Sequence, residues 1–383
     1  MNAIFQIPSR IVYGAGTIKD LGAEVRRLGA NRALIVTDKG LVEHNVHIPV
    51  QEALTVAKIP YKLFPGVELD PSPGSITNGA LALREFEADV IIGLGGGSAL
   101  DSAKAVSLLS AHGEPIERFF GIELVPSPCI PTIMIPTTAG TGSEITSIVV
   151  LSSAATQSKK GIVSTHLFAK SVVLDPELTF DLPPYYTAIT GVDAFVHALE
   201  SYVNLAATPL TEGVCLQAMR LIADNIRKAY ANGRCLEARS AMLYASALSG
   251  MGFANTQTGL IHALAHAIPT DHHLPHGLLV AAASPMGIAY NSLAAPEKFA
   301  NIATILGCDI REKALHEQAA IALNGMQRLL EDLDITQGFA AYGVNRDEIP
   351  NIAQRAAGDA RLMARNPRQA TASSLEKLLN QFF

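Results

Sequence analysis

An α/β half built on a parallel sheet, followed by an all-helical half, is the fold class that this 383-residue sequence predicts. Over the first 180 residues, short β-branched apolar runs alternate with Gly/Pro breaks and amphipathic stretches, as strands buried on both faces by crossover helices would. Past the Pro183-Pro184 pair the composition turns to Ala- and Leu-rich segments at helical spacing, with almost no β-branched runs. The chain is also longer than one hydrophobic core usually supports, so two domains are expected, 1–182 and 183–383. The boundary falls where Asp181, Pro183 and Pro184 interrupt regular structure.

Taken in order, the expected strands are Ala33 to Thr37, Asp89 to Leu94, Thr132 to Pro136, Ile148 to Ser152 and Ser171 to Leu174. The second runs into Gly95-Gly96-Gly97-Ser98 and then ALDSAKA, giving the order strand, glycine loop, helix. Glycines let a ligand approach the backbone closely, and the free N–H groups of the helix N-terminus suit a pyrophosphate. Ser98 is placed to cap that helix, with Asp101 three residues on in capping-box position. Asp38 closes the strand in RALIVTD, where a carboxylate can hold both ribose hydroxyls of an adenosine and repel the 2′-phosphate of NADP; NAD is therefore the expected cofactor. After the third strand comes PTTAGTGSE, whose Thr137, Thr138 and Thr141 sit among glycines in a loop fit for phosphate and ribose oxygens. These pieces describe a Rossmann-like dinucleotide-binding domain.

The helical half carries a different chemistry. Asp193 and His197 are four apart in GVDAFVHALE, so on a helix both project from one face. His262 and His266 repeat that step in GLIHALAHA, and His276 follows a short loop closed by Pro275-His276-Gly277. Three imidazoles and a carboxylate suit Fe(II) or Zn(II) and poorly suit Mg or Ca, and a Cys-free set with an open position is where a metal polarises a substrate oxygen. His272 and His273 lie in a polar loop and read as solvated.

Composition narrows the function classes. Half the chain is apolar, 49%, yet no apolar run is long enough to span a membrane, and the N-terminus does not read as a secretory signal, so a cytoplasmic location is expected. Cys129, Cys215, Cys235 and Cys308 are scattered without CxxC spacing and read as reduced. A net charge of −6 with no long basic run argues against nucleic acid or anionic membrane as a partner. Arg361, Arg365 and Arg368 gather near the C-terminus, where a solvated helix end is the simpler reading.

With these motifs in place the sequence resembles, nearly end to end, the iron-dependent group III alcohol dehydrogenases. GGGSALDSAK looks like the family's GGGSxxDxxK, PTTAGTGSE is the family's own string, LDPELTFDLPPYYTAITGVDAFVHALESY is similar to its linker and first metal helix, and Asn366-Pro367-Arg368 fits its C-terminal NPR. The resemblance implies an NAD-binding α/β domain, a helical metal-binding domain and an active site in the cleft between them. It implies hydride transfer between NAD and a small alcohol or aldehyde, a homodimer, and Fe(II) in the site, with Zn(II) as its substitute. Asp193, His197, His262 and His276 would be the metal ligands, and His266 would relay a proton near the nicotinamide. Asp38, Gly96, Gly97, Ser98, Thr137, Thr138, Thr141 and Lys159 would contact the cofactor, as would Asp70, which stands where relatives have an Asn. Met251, Phe253 and the Asp271 to Leu274 loop are the expected substrate pocket. A metal- and NAD-dependent lyase resembling dehydroquinate synthase, or a reductase like maleylacetate reductase, is the alternative that shares this architecture.

Overall fold

The computed structural model describes residues 4–8, 10–153 and 158–383. Its chain contacts separate two compact units, one of Gln6–Leu182 and one in which Ile4 and Phe5 join Pro183–Phe383.

The first unit is built on strands β1 (Ile11–Tyr13), β2 (Ala33–Asp38), β3 (Tyr61–Val67), β4 (Val90–Gly95), β5 (Gly121–Ile122), β6 (Thr132–Pro136), β7 (Ile148–Ser153), β8 (Ser158–Val163) and β9 (Ser171–Leu174). Its helices are α1 (Leu21–Arg27), α2 (Lys39–Glu43), α3 (Ile48–Val56), α4 (Pro73–Phe86) and α5 (Gly97–His112). Six strands form a parallel sheet in the order β1-β9-β6-β4-β2-β3. The central strands β2, β4 and β6 are apolar on both faces because both faces are covered. Ile35, Ile92, Leu94, Ile133 and Ile135 pack with Leu21 and Val25 of α1 and Val50 and Leu54 of α3, while α5 lies along β2, β4 and β6 from the other side.

The sequence leads from β2 outward to β3, returns past β2 to β4, and proceeds to β6 and β9 on the far side. The direction of winding therefore reverses between β2 and β4, and the crevice at the carboxyl ends of such a pair is where open α/β sheets take their ligands. The register Ala33↔Val90 and Gly95↔Pro136 brings the ends of β2, β4 and β6 side by side. Asp38, the Gly95 to Ser98 loop and the Pro136 to Thr141 loop leave the sheet there.

One expected strand lies elsewhere. Ile148 to Ser152 does not join the parallel sheet; β7 pairs antiparallel with β8 in a separate three-stranded sheet, β5-β8-β7. Its outward-facing Val150 alternates with buried Val149 and Leu151, the pattern of a half-buried hairpin strand.

No strand occurs among the described residues after β9. The second unit comprises α6 (Pro184–Val203), α7 (Pro209–Ala231), α8 (Leu236–Thr256), α9 (Leu260–Ala267), α10 (His276–Asn291), α11 (Pro296–Ile305), α12 (Leu315–Asp332), α13 (Ile349–Gly358), α14 (Ala360–Met363) and α15 (Ala372–Gln381). Helix α6 is buried almost all round from Thr187 to Val203, as befits a central helix, and packs on α7, α8 and α10. Pro184 occupies its first turn, where a missing N–H costs nothing. Helix α7 starts on a capping box in which the Thr208 and Thr211 side chains each bond the other's backbone N–H. No helix among the described residues is long and apolar enough to cross a membrane.

Candidate metal centre and cofactor loops

The helical period places Asp193 and His197 on one face of α6, and the chain returns through α9 and α10 to set His262 and His276 beside them. Ligand atoms of Asp193, His262 and His276 all lie within 4.8 Å of one another. Asp193 Oδ1 is the centre of convergence: His262 Nε2 is 3.5 Å from it, His197 Nε2 3.8 Å and His276 Nε2 3.9 Å. Such spacings are long for hydrogen bonds, whereas ligands about 2.0–2.1 Å from a tetrahedral ion sit roughly 3.4 Å apart. Asp193 Oδ1 and His262 Nε2 are buried with no hydrogen-bond partner among the described residues. Two polar atoms left bare and aimed at each other are costly unless something binds between them. The donor set therefore fits a divalent transition metal.

Electrostatics agree. Burial opposes ionisation of Asp193, but the surrounding imidazoles of His197, His262 and His276 hold its carboxyl well below the usual range. Burial likewise disfavours a charge on His262, yet Asp193 and Glu200 lift its imidazole to about 9. A site that draws a proton so strongly is one that favours a cation.

Packing sets the rings. Phe253 stacks on His197 at 4.3 Å between centroids, and His197 stacks in turn on His262 at 4.6 Å. The exposed His266 lies parallel to His276 at 5.3 Å and edge-on to His262 at 6.1 Å. Helix α10 begins close enough to α6 that a Cβ on Gly277 would stand 2.7 Å from the Ile189 carbonyl oxygen, so only glycine allows His276 its position. Of the expected pocket residues, Phe253 reaches the cluster through His197; Met251 lies two residues before it on α8, and Asp271 and His272 close a single 3-10 turn.

Three expectations are corrected, two in this unit and one in the first. His272 is partly buried and paired with Glu348, Nε2 to Oε2 at 3.0 Å, rather than solvated. Arg368 is packed, with its guanidinium 4.1 Å from the Tyr290 ring centroid and Nη1 donating to the Tyr290 carbonyl at 2.9 Å. Ser98 does not cap α5: the helix starts at Gly97 with Gly96 as its uncapped N-terminal neighbour, and Ser98 Oγ donates instead to the Leu69 carbonyl at 2.5 Å. Asp101, with no box to close, accepts from Ser143 Oγ at 2.5 Å and Val150 N at 2.9 Å.

With no side-chain cap, the first N–H groups of α5 have no side-chain partner among the described residues, the arrangement that suits a phosphate. Asp38 Oδ1 accepts from Leu41 N at 2.9 Å, which fixes the carboxylate at the β2 end. Gly97 lies under Thr141, whose methyl would be 2.9 Å from an added Cβ, so the two glycine loops touch. Thr138 stands 3.5 Å from the same point on Gly96, and Thr137 donates its backbone N–H to the Gly95 carbonyl. Beneath them Lys104, fully buried, ties the loops together through Ser143 Oγ at 2.9 Å and the Ile148 carbonyl at 2.7 Å. Lys159 and Asp70 form an ion pair, Nζ to Oδ1 at 2.8 Å, with both side chains well exposed.

Sequence reasoning gave no role to Glu200, and none to Asn366 beyond its place in the NPR string. Glu200 lies seven residues after Asp193 and three after His197, on the face of α6 that carries both; that periodicity was the available signal. Its carboxylate accepts from Gly259 N, Ile261 N and His262 Nδ1. Asn366, from the NPR string, accepts from Leu260 N at 3.2 Å and pairs with Asn291 through both halves of its amide.

Comparison with known proteins agrees with this chemistry along the whole chain. Residues 8–176 match the model of iron-containing alcohol dehydrogenases and residues 187–383 that of the C-terminal part of the Fe-containing alcohol dehydrogenase family. The chain is 49% identical to a sulfoacetaldehyde reductase of Bilophila wadsworthia, covering 98% of this chain and 97% of that one. It is 34% identical to an NAD-dependent methanol dehydrogenase of Bacillus methanolicus, covering 98% of each. The crystal structure of a 1,3-propanediol oxidoreductase superposes over 100% of both chains with a TM-score of 0.97 at 35% identity. The chain belongs to the iron-containing alcohol dehydrogenases, a family that works with iron and NAD, and is an oxidoreductase that moves hydride between NAD and a small alcohol or aldehyde.

Proposed function

We propose that the chain interconverts a short aldehyde and its primary alcohol at a metal held by Asp193, His197, His262 and His276, with sulfoacetaldehyde the first substrate to try. The convergence of three imidazole Nε2 atoms on one buried carboxylate oxygen carries the reading. The choice of substrate is supported by the 49% identity to the sulfoacetaldehyde reductase, against 34% to the methanol dehydrogenase. Bound, iron would polarise the substrate oxygen as a Lewis acid and the nicotinamide would supply or accept the hydride.

The chain's own groups do the rest. Asp193 brings the negative charge that keeps the four-residue set selective for a cation. Phe253 and His197 wall the cluster with stacked rings and keep water from one side. His266, exposed beside His276, passes the alcohol proton to solvent. Asp38 binds the adenosine ribose and selects against a 2′-phosphate; the uncapped α5 terminus at Gly96, Gly97 and Ser98 receives the pyrophosphate; Thr137, Thr138 and Thr141 line the adjoining loop. Lys159 and Asp70 contribute at the rim as a pair. We assign cofactor binding to residues 1–182 and metal and substrate binding to 183–383, and propose a cytoplasmic homodimer.

Chelator-stripped protein reconstituted anaerobically with Fe(II) or Zn(II) tests the reading when NADH oxidation is followed across sulfoacetaldehyde, formaldehyde, lactaldehyde and 3-hydroxypropanal. Metal-restored turnover with a preference for sulfoacetaldehyde is expected. Turnover that ignores the metal would overturn the site, and a preference for a neutral aldehyde would overturn the substrate.

A further inference from the structure

Glu200 is buried, 2% exposed, and among the described residues its carboxylate's hydrogen-bond partners are all at the start of α9 or on the ring that α9 carries. Oε1 accepts from Ile261 N at 2.5 Å; Oε2 accepts from Gly259 N at 2.9 Å and from His262 Nδ1 at 2.6 Å. Capping alone does not call for this arrangement, because Asn366 Oδ1 already takes the Leu260 N–H between the other two. The imidazole bond is what a cap would not need.

Its consequences are chemical. An Nδ1–H held by Oε2 leaves Nε2 as the bare lone pair, and Nε2 is the nitrogen that faces Asp193 Oδ1 at 3.5 Å. Rotating the ring by half a turn would set carbon against both carboxylates, so the bond fixes ring plane as well as tautomer. A carboxylate on Nδ1 also makes Nε2 a stronger donor to a cation.

We propose that Glu200 is a positioning residue for the metal: through His262 it sets how tightly the helical unit holds a divalent cation and which imidazole nitrogen does so. The proposal rests on His262 being a ligand. Glu200→Gln is isosteric but places an amide N–H₂ where one of the three donors now points.

The test is Zn(II) affinity of the full-length protein, measured by competition with a chromophoric chelator, for wild type, Glu200→Gln, Asn366→Ala and His262→Ala. Glu200→Gln is expected to keep its helical circular dichroism, lose about 10- to 100-fold in Zn(II) affinity and alter the ligand-field spectrum of the Co(II)-loaded form. Asn366→Ala, which damages the same helix end without touching the ring, is expected to melt earlier yet bind Zn(II) close to wild type. Wild-type affinity in Glu200→Gln, or an equal loss in Asn366→Ala, overturns the proposal. Should Glu200→Gln fail to fold, proton NMR of Co(II)-loaded wild type decides instead. A hyperfine-shifted imidazole N–H protected from solvent exchange is expected, and its absence overturns the inference. Zn(II) retained by His262→Ala would defeat the ligand assignment itself, a separate outcome from Glu200→Gln behaving as wild type beside a metal-free His262→Ala.

Discussion

Gly277→Ala puts one methyl group where two helices cross, and the outcome follows from competing terms of known size. The added Cβ would lie 2.7 Å from the Ile189 carbonyl oxygen and 3.1 Å from its carbon. The first distance is about 0.7 Å inside ordinary van der Waals contact, and the atoms met are backbone of the buried α6, which cannot swing aside as a side-chain tip would. Overpacking of this kind costs about 1–3 kcal/mol. Against it stands the helix propensity of alanine over glycine, at most about 1 kcal/mol and less in the first turn, where Gly277 lies. The sum favours destabilisation by roughly 1–2 kcal/mol, or about 2–8 °C in the melting of a unit this size. The cheapest relief is for α10 to back away from α6, and His276, its first residue, moves with it from Asp193. Sites held to within about 0.5 Å lose function steeply when shifted by more, so Zn(II) affinity should fall by about 10-fold or more. Thermal melts in excess chelator read the first effect, and chelator competition at 25 °C reads the second. An unchanged melt together with unchanged Zn(II) affinity would show that α10 does not press on α6 as described.

Three other outcomes follow from the same geometry. His262→Ala is expected to lose bound metal and turnover while circular dichroism stays native, since His262 and Asp193 hold the two bare atoms of the cluster; full activity with metal retained sinks the assignment. Asp38→Asn keeps an acceptor for Leu41 N but removes the charge, so the NAD over NADP preference in kcat/KM should fall by about 10-fold or more, and an unchanged ratio would mean that discrimination lies elsewhere. Glu144 concerns pH: burial pushes its carboxyl from 4.5 up to about 7, with backbone hydrogen bonding and Lys104 pulling the other way. The folded protein thus keeps a proton that the unfolded chain releases above pH 4.5, and this contribution is lost as the pH rises through about 7. Glu144→Gln should therefore melt like wild type near pH 4 and later than wild type near pH 8, by up to about 3 kcal/mol; parallel pH profiles would refute it.

What could be read from the sequence was whatever a local period expresses. Thr132–Pro136 and Ser171–Leu174 match their expected bounds because a dense apolar run between breakers has one reading. Tyr61–Val67 escapes it since Pro65 and Gly66 interrupt the run; the strand survives because it is the sheet edge, where a missing N–H is tolerated. Ile148–Ser153 was legible as a strand but not as a member of the small sheet, because pairing with the lysine-bearing Ser158–Val163 is a fact about two segments and not about one. The site divides along the same line. Asp193 and His197 declare themselves through the four-residue step, and Glu200 continues their face by one more turn, yet nothing in the period reveals that its partner is an imidazole 62 residues away. Asp70 and Lys159 make the point most sharply. Each enters the sequence reading alone, as one cofactor contact apiece and with Asp70 as a departure from the family's Asn, whereas the fold sets them 2.8 Å apart. The acid at position 70 is answered by the base at 159, so the net charge at this surface differs from what either residue implies by itself. An exposed pair of this kind contributes only about 0–1 kcal/mol, so it adds little to the stability of the fold and acts chiefly by cancelling charge at the surface where both side chains stand.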